Sequence, residues 1–98
     1  MSSSKSCRDY VLEQLSEING ITYRMMMGEY LLYYQGVLFG GIYDNRLLVK
    51  KTQGNAKYHL SEIVPYPNAK AMFFLEDVDN QEMLADVVLT TVNDLRKD

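Results

Sequence analysis

The chain has one cysteine and one histidine, Cys7 and His59. A thiol in the first turn of a helix has its pKa lowered by the helix dipole, and a neighbouring imidazole would make it a nucleophile. Cys7 stands near such a start. It also lies on the apolar stripe Cys7, Val11, Leu15 and Ile18, so a small buried thiol is the plainer reading. Glu76, Asp77, Asp79 and Glu82 form an acidic cluster. Asp77-x-Asp79-x-Gln81 opens like a calcium loop but lacks the turn glycine and the terminal length, so the acids read as complements to a helix N-terminus. Glu29 has no second carboxylate beside it, which makes poor acid–base equipment; a Glu29–Arg24 pair fixing strand register is the better reading. Met25, Met26 and Met27 offer thioethers suited to Cu(I), but successive strand residues alternate faces and cannot converge. Core filling at a strand end is expected instead. These residues predict no catalytic site, no metal and no cofactor.

What remains is "MMMGEYLLYYQGVLFGGIYDNRLLVK", Met25 to Lys50, dense in tyrosine and aliphatic residues. The elements around it follow from periodicity. A helix capped by Ser6 runs to the stop at Asn19-Gly20. Ile21 to Met25 is β-type, and Met27-Gly28 breaks it. Strands near 29–34, 37–43 and 46–50 are joined at Gln35-Gly36 and Asp44-Asn45, two-residue hairpin turns. A short helix is expected near Ala56–Glu62, then an extended Val64–Pro67 and a strand over 71–76. Asp79 with Glu82 starts a closing helix whose apolar face is Leu84, Val88, Thr91 and Leu95, ending near Arg96. The order predicts an α+β fold, one domain over 1–98, an antiparallel β-meander flanked by N- and C-terminal helices in two layers.

If both hairpins keep perfect register, alternation sorts the side chains into two faces. Leu31, Tyr33, Leu38, Gly40, Ile42, Leu47 and Val49 form the set expected under the helices. Leu15, Leu31, Ile42, Val49, Leu84 and Val88 would then be core. Tyr30, Leu32, Tyr34, Val37, Phe39, Tyr43, Arg46 and Leu48 form the set expected outside, with Gly41 and Lys50. That outer set is too apolar for a monomer to leave in water, and tyrosine and arginine at its margin are what interfaces favour. The expectation is an interaction surface for a protein partner or a weak homodimer. The competing reading is that residues 52–70 cover this face.

Composition limits the alternatives. With 47% hydrophobic and 23% charged residues the chain is ordinary globular rather than disordered. Its net charge of −3 gives no global attraction to phosphate backbones, so nucleic-acid contact would rest on Arg46, Lys50 and Lys51 beside the tyrosines, and direct DNA binding is disfavoured. A lone cysteine suits a reducing cytoplasm. No apolar run approaches a membrane span and "MSSSKSCRD" has no secretory apolar region. The Ser2–Ser4 run reads as a frayed terminus.

The same residues carry a resemblance. Met27-Gly28-Glu29-Tyr30, Tyr33-Tyr34, Gly40-Gly41, Arg46 to Lys50, and Pro65 to Lys70, in this order from about Tyr10 to Leu95, resemble the N-terminal domain of the TfoX/Sxy family. Asn68 stands where that pattern carries glycine, and Gln35 where an acidic residue is common; both are turn changes. The resemblance implies a secretion-chaperone-like α+β fold. It also implies a relation to regulators of natural competence, which act with a cyclic-AMP-responsive transcription activator at promoters. The chain is expected to end where the family's C-terminal domain would begin. No catalytic residues come with the resemblance, so a non-enzymatic interaction domain is the first expectation and nucleic-acid binding the second.

Overall fold

The structure, a computed structural model, describes residues 3–97 and has an α+β architecture in two layers. Helix α1 (Lys5–Gln14) is followed by strands β1 (Ile21–Met26), β2 (Glu29–Tyr34), β3 (Val37–Tyr43) and β4 (Arg46–Val49). A 3₁₀ turn (Asn55–Tyr58), β5 (Ser61–Ile63), β6 (Met72–Phe74) and helix α2 (Gln81–Arg96) complete the chain. The strands form one six-stranded antiparallel sheet in the order β1-β2-β3-β4-β6-β5.

The meander is built on three two-residue turns in which both central residues have positive φ: Met27-Gly28 (53° and 84°), Gln35-Gly36 (47° and 83°) and Asp44-Asn45 (53° and 59°). This is the turn geometry whose twist matches paired strands, and it is why Gly and Asn recur there. Helix α1 is capped by Ser4, whose side chain accepts from the Cys7 N–H, rather than by Ser6. Ser3 is also tied down: its Oγ donates to Glu29 Oε1 at 2.7 Å, and its own N–H donates to the Gly28 carbonyl at 3.0 Å. The expected frayed terminus therefore does not extend to Ser3 and Ser4, and Ser2 lies outside the described residues. Asn80, one residue after the expected Asp79, caps α2 by accepting from the Met83 N–H. In place of a helix over 56–62 there is the 3₁₀ turn followed by β5, which pairs with β6.

The core lies between both helices and one sheet face. Val11 and Leu15 of α1 and Leu84, Val87, Val88 and Val92 of α2 pack with Tyr30, Leu32, Phe39, Ile42, Leu47, Val49, Phe73 and Leu75. Of the six residues expected in the core, Leu15, Ile42, Val49, Leu84 and Val88 are buried, whereas Leu31 is only partly so.

A β-bulge explains that exception. Tyr34 pairs with Val37 and Tyr33 with Leu38, but Leu32 pairs with Gly40 and Tyr30 with Ile42. Phe39 is the extra residue, and beyond it the alternation of β3 restarts on the opposite phase. The glycine pair fits this kink. A Cβ on Gly40 would strike the Leu48 carbonyl, and one on Gly41 would lie 2.5 Å from the Tyr30 carbonyl oxygen and 2.8 Å from the Tyr43 ring.

The bulge corrects the sorting of the two faces. The helix-covered face takes Tyr30, Leu32, Tyr34, Val37 and Phe39 from the set expected outside. It keeps Ile42, Leu47 and Val49 from the set expected inside. Tyr30, Leu32 and Phe39, placed by perfect register on an interaction surface, are 2%, 0% and 0% exposed.

Candidate functional site

The helix-free face carries Leu31 and Tyr33 of β2, Leu38 and Tyr43 of β3, Arg46 and Leu48 of β4, then Lys50, and Met72 and Phe74 of β6. Leu31, Tyr33, Leu38, Met72 and Phe74 are half-buried, and Tyr43 and Leu48 are buried. Side-chain-less Gly41 lets the Tyr43 ring lie over it, and the loop after β5 brings the Tyr66 ring to 6.2 Å from that of Tyr43. Residues 52–70 therefore cover this face at one place, around Tyr43, and not over Phe39, which the helices cover.

Between that loop and the open sheet runs a cleft of about 750 Å³. Its floor is Leu31, Leu38 and Met72, with Met26 of β1 at one end, and Pro65, Ala69 and Ala71 form the loop wall. Lys50, Lys51 and Lys70 also reach it, and Leu95 of α2 borders it. A mostly apolar concavity with a few convergent charges is the usual form of a binding site.

Burial pushes the Tyr43 phenol up, with Tyr66, Glu29 and Tyr33 adding to the shift, so it stays protonated at neutral pH. The Glu29 carboxylate receives the Ser3 hydroxyl and, at 3.2 Å on both oxygens, the Asp44 N–H. It closes the Asp44-Asn45 turn against the N-terminus and makes no ion pair with Arg24, whose Cα is opposite Leu31. The Glu29–Arg24 pair expected from the sequence does not form; Ser3 and Asp44 take its place.

The three cations considered for nucleic-acid contact do not act together. Arg46 approaches Asp44 at 3.8 Å, and its Nε is buried without a hydrogen-bond partner among the described residues. Lys51 is neutralised by Glu62 at 2.7 Å and lies 5.6 Å from the Phe73 ring centroid. Lys50 alone of the three is free of an ion pair among the described residues. Other sequence candidates resolve simply. Burial pushes the Cys7 thiol up, away from thiolate character, and the residue packs against the core. Met25, Met26 and Met27 are 66%, 37% and 96% exposed, on and just after an edge strand, rather than filling the core. Among the described residues no three His, Cys, Asp or Glu side chains converge as metal ligands, and no helix is long and apolar enough to cross a membrane.

The cleft was missed in the sequence because its wall, Pro65 to Ala71, is brought to the sheet by the short β5–β6 pairing. The tyrosine and basic residues flagged it only loosely.

A sheet with helices on one face and a cation-edged apolar cleft on the other makes this a small two-layer α+β domain. The chain belongs to the TfoX N-terminal domain family, whose model matches residues 13–73. It is also 30% identical over 80 residues to the "Uncharacterized 12.7 kDa protein in trpE 5'region" of Spirochaeta aurantia, covering 80% of this chain and 70% of that protein. No solved structure matches the chain.

Proposed function

We propose that this domain is a non-enzymatic regulatory module that works in the cytoplasm through protein contacts made by its helix-free sheet face. The observation that carries the reading is the half-exposed apolar floor of Leu31, Leu38 and Met72 beside the 65–71 loop. Apolar surface of this kind, edged by Lys and Tyr, is what an interface removes from water. Family membership supports a regulatory role, and the relation of TfoX/Sxy proteins to natural competence makes a cyclic-AMP-responsive transcription activator the first partner to try. Protein contact is favoured over direct nucleic-acid binding because two of the three cations of the Arg46–Lys51 stretch already have acidic neighbours, Lys51 with Glu62 and Arg46 with Asp44, and the chain's net charge is −3.

Isothermal titration calorimetry of the domain with that activator tests the proposal. Leu38→Glu on the open face should weaken binding at least about tenfold, as loss of a central apolar contact does. Tyr10→Glu, on an exposed α1 position, should leave binding unchanged. Equal affinity of the wild type and Leu38→Glu, or a loss confined to Tyr10→Glu, would refute the assignment of the face. Sedimentation of the domain alone distinguishes a second copy as the occupant.

A further inference from the structure

Lys50 and Lys70 both line the cleft, and among the described residues neither enters an ion pair. Two uncompensated ammonium groups at an apolar concavity stand out in a chain of net charge −3. A wholly apolar occupant would strip water from both cations without replacing it, whereas an occupant carrying carboxylates compensates them as it desolvates them. The floor residues come from several strands: Met26 from β1, Leu31 from β2, Leu38 from β3 and Met72 from β6. From β1 to β6 is four strand spacings of about 4.8 Å, or about 19 Å, and an extended chain advances about 3.3 Å per residue, so about six residues cross the face. Methionine at both ends of that path adapts its shape to the side chain it meets.

We infer that the cleft takes an extended segment of about six residues from the partner protein, alternating apolar and acidic side chains. The apolar ones rest on Leu31, Leu38 and Met72, and the carboxylates meet Lys50 and Lys70. The inference rests on the reading of the helix-free face as the contact surface and adds the chemistry of what binds there. A single-stranded nucleic acid offers negative charge too, but its bases need a platform of exposed rings on which to stack; this floor is aliphatic and methionine, Tyr43 is buried, and of the lining rings only Tyr66, on the loop wall, is exposed.

The test is selection of a phage-displayed random hexapeptide library on the full chain, counter-selected against Leu38→Glu. Selected peptides and a short oligothymidylate are then measured by fluorescence anisotropy. Circular dichroism checks each variant, and Leu31→Glu replaces Leu38→Glu if the latter unfolds. The expected result is an acidic–apolar consensus whose binding falls about tenfold or more in Lys50→Glu/Lys70→Glu, the scale of a lost compensating charge pair. A consensus that is basic or uncharged, yet still lost in Leu38→Glu, overturns the inference and leaves the contact face standing. Peptides that bind Leu38→Glu as well as wild type, or no selected peptide at all, overturn both. Oligothymidylate binding tighter than every peptide, and lost on lysine reversal, overturns the inference in favour of nucleic acid.

Discussion

Replacing Phe39 by Ala, and separately Leu38 by Ala, tests the bulge with two adjacent residues. Phe39 is fully buried against the helices, while Leu38 lies half-buried on the cleft floor. Truncating a buried Phe removes its transfer free energy and leaves a cavity, about 3–5 kcal/mol together. A domain of 98 residues has a total stability of about 5–15 kcal/mol, so Phe39→Ala removes a large fraction of it. With a urea slope of about 1.5 kcal/mol/M, the unfolding midpoint should fall by about 2–3 M. Leu38→Ala gives up only part of a side chain already half in water, and its loss should stay below about 1 kcal/mol. The assay is urea unfolding followed by circular dichroism, with both variants at equal concentration. Perfect register between β2 and β3 would put Leu38 in the core and Phe39 outside. Equal losses, or a larger loss for Leu38→Ala, would therefore refute the bulge and the assignment of both faces.

The remaining predictions concern how the framework is held. Gly40→Ala should unfold the domain or destabilise it severely, because the added methyl meets the Leu48 backbone; thermal unfolding of that variant near the wild-type midpoint would contradict the close strand approach. Asn55 is fully buried, donates from Nδ2 to the Lys50 carbonyl and to Thr91 Oγ1, each at 2.8 Å, and accepts from the Thr52 N–H. Asn55→Ala strands those groups and should cost about 2–4 kcal/mol in chemical denaturation. Asp94 accepts from the Thr52 side chain and from the Gly54 N–H at 2.7 Å, contacts that lower its pKa below the ordinary carboxylate value. Its contribution is therefore present above that ordinary value and fades as pH falls through the lowered one. The stability gap between wild type and Asp94→Asn, measured across a pH series, should be widest near neutrality and narrow in acid.

The parts of the fold that the sequence displayed were those set by neighbouring residues. Gln35-Gly36 and Asp44-Asn45 announce their turns because few residues accept positive φ in succession. The stripe Leu84, Val88 and Thr91 marks the buried face of α2 in the same local way. The bulge was hidden because "VLFGGIY" alternates acceptably in either phase, and only the pairing of Gly40 with Leu32 and Val49 sets the phase that leaves Phe39 as the extra residue. That single residue moved Tyr30, Leu32 and Phe39 from the expected outer face into the core and Leu31 and Leu38 out of it. Strand β5 was hidden because "SEI" is too short for any period and is defined by its pairing with Met72 to Phe74. The exposure of Met25 to Met27 was missed because a strand's place at the sheet edge is a property of topology.

Contact through the helix-free face is open to an NMR footprint. The ¹⁵N-labelled domain is titrated with the unlabelled activator and amide shift changes are mapped onto the sheet. The largest changes are expected at Leu31, Leu38, Lys50, Tyr66, Lys70 and Met72, with α1 and α2 little affected. Changes concentrated on exposed α1 and α2 positions such as Tyr10 and Leu89, with the cleft residues unmoved, would contradict it.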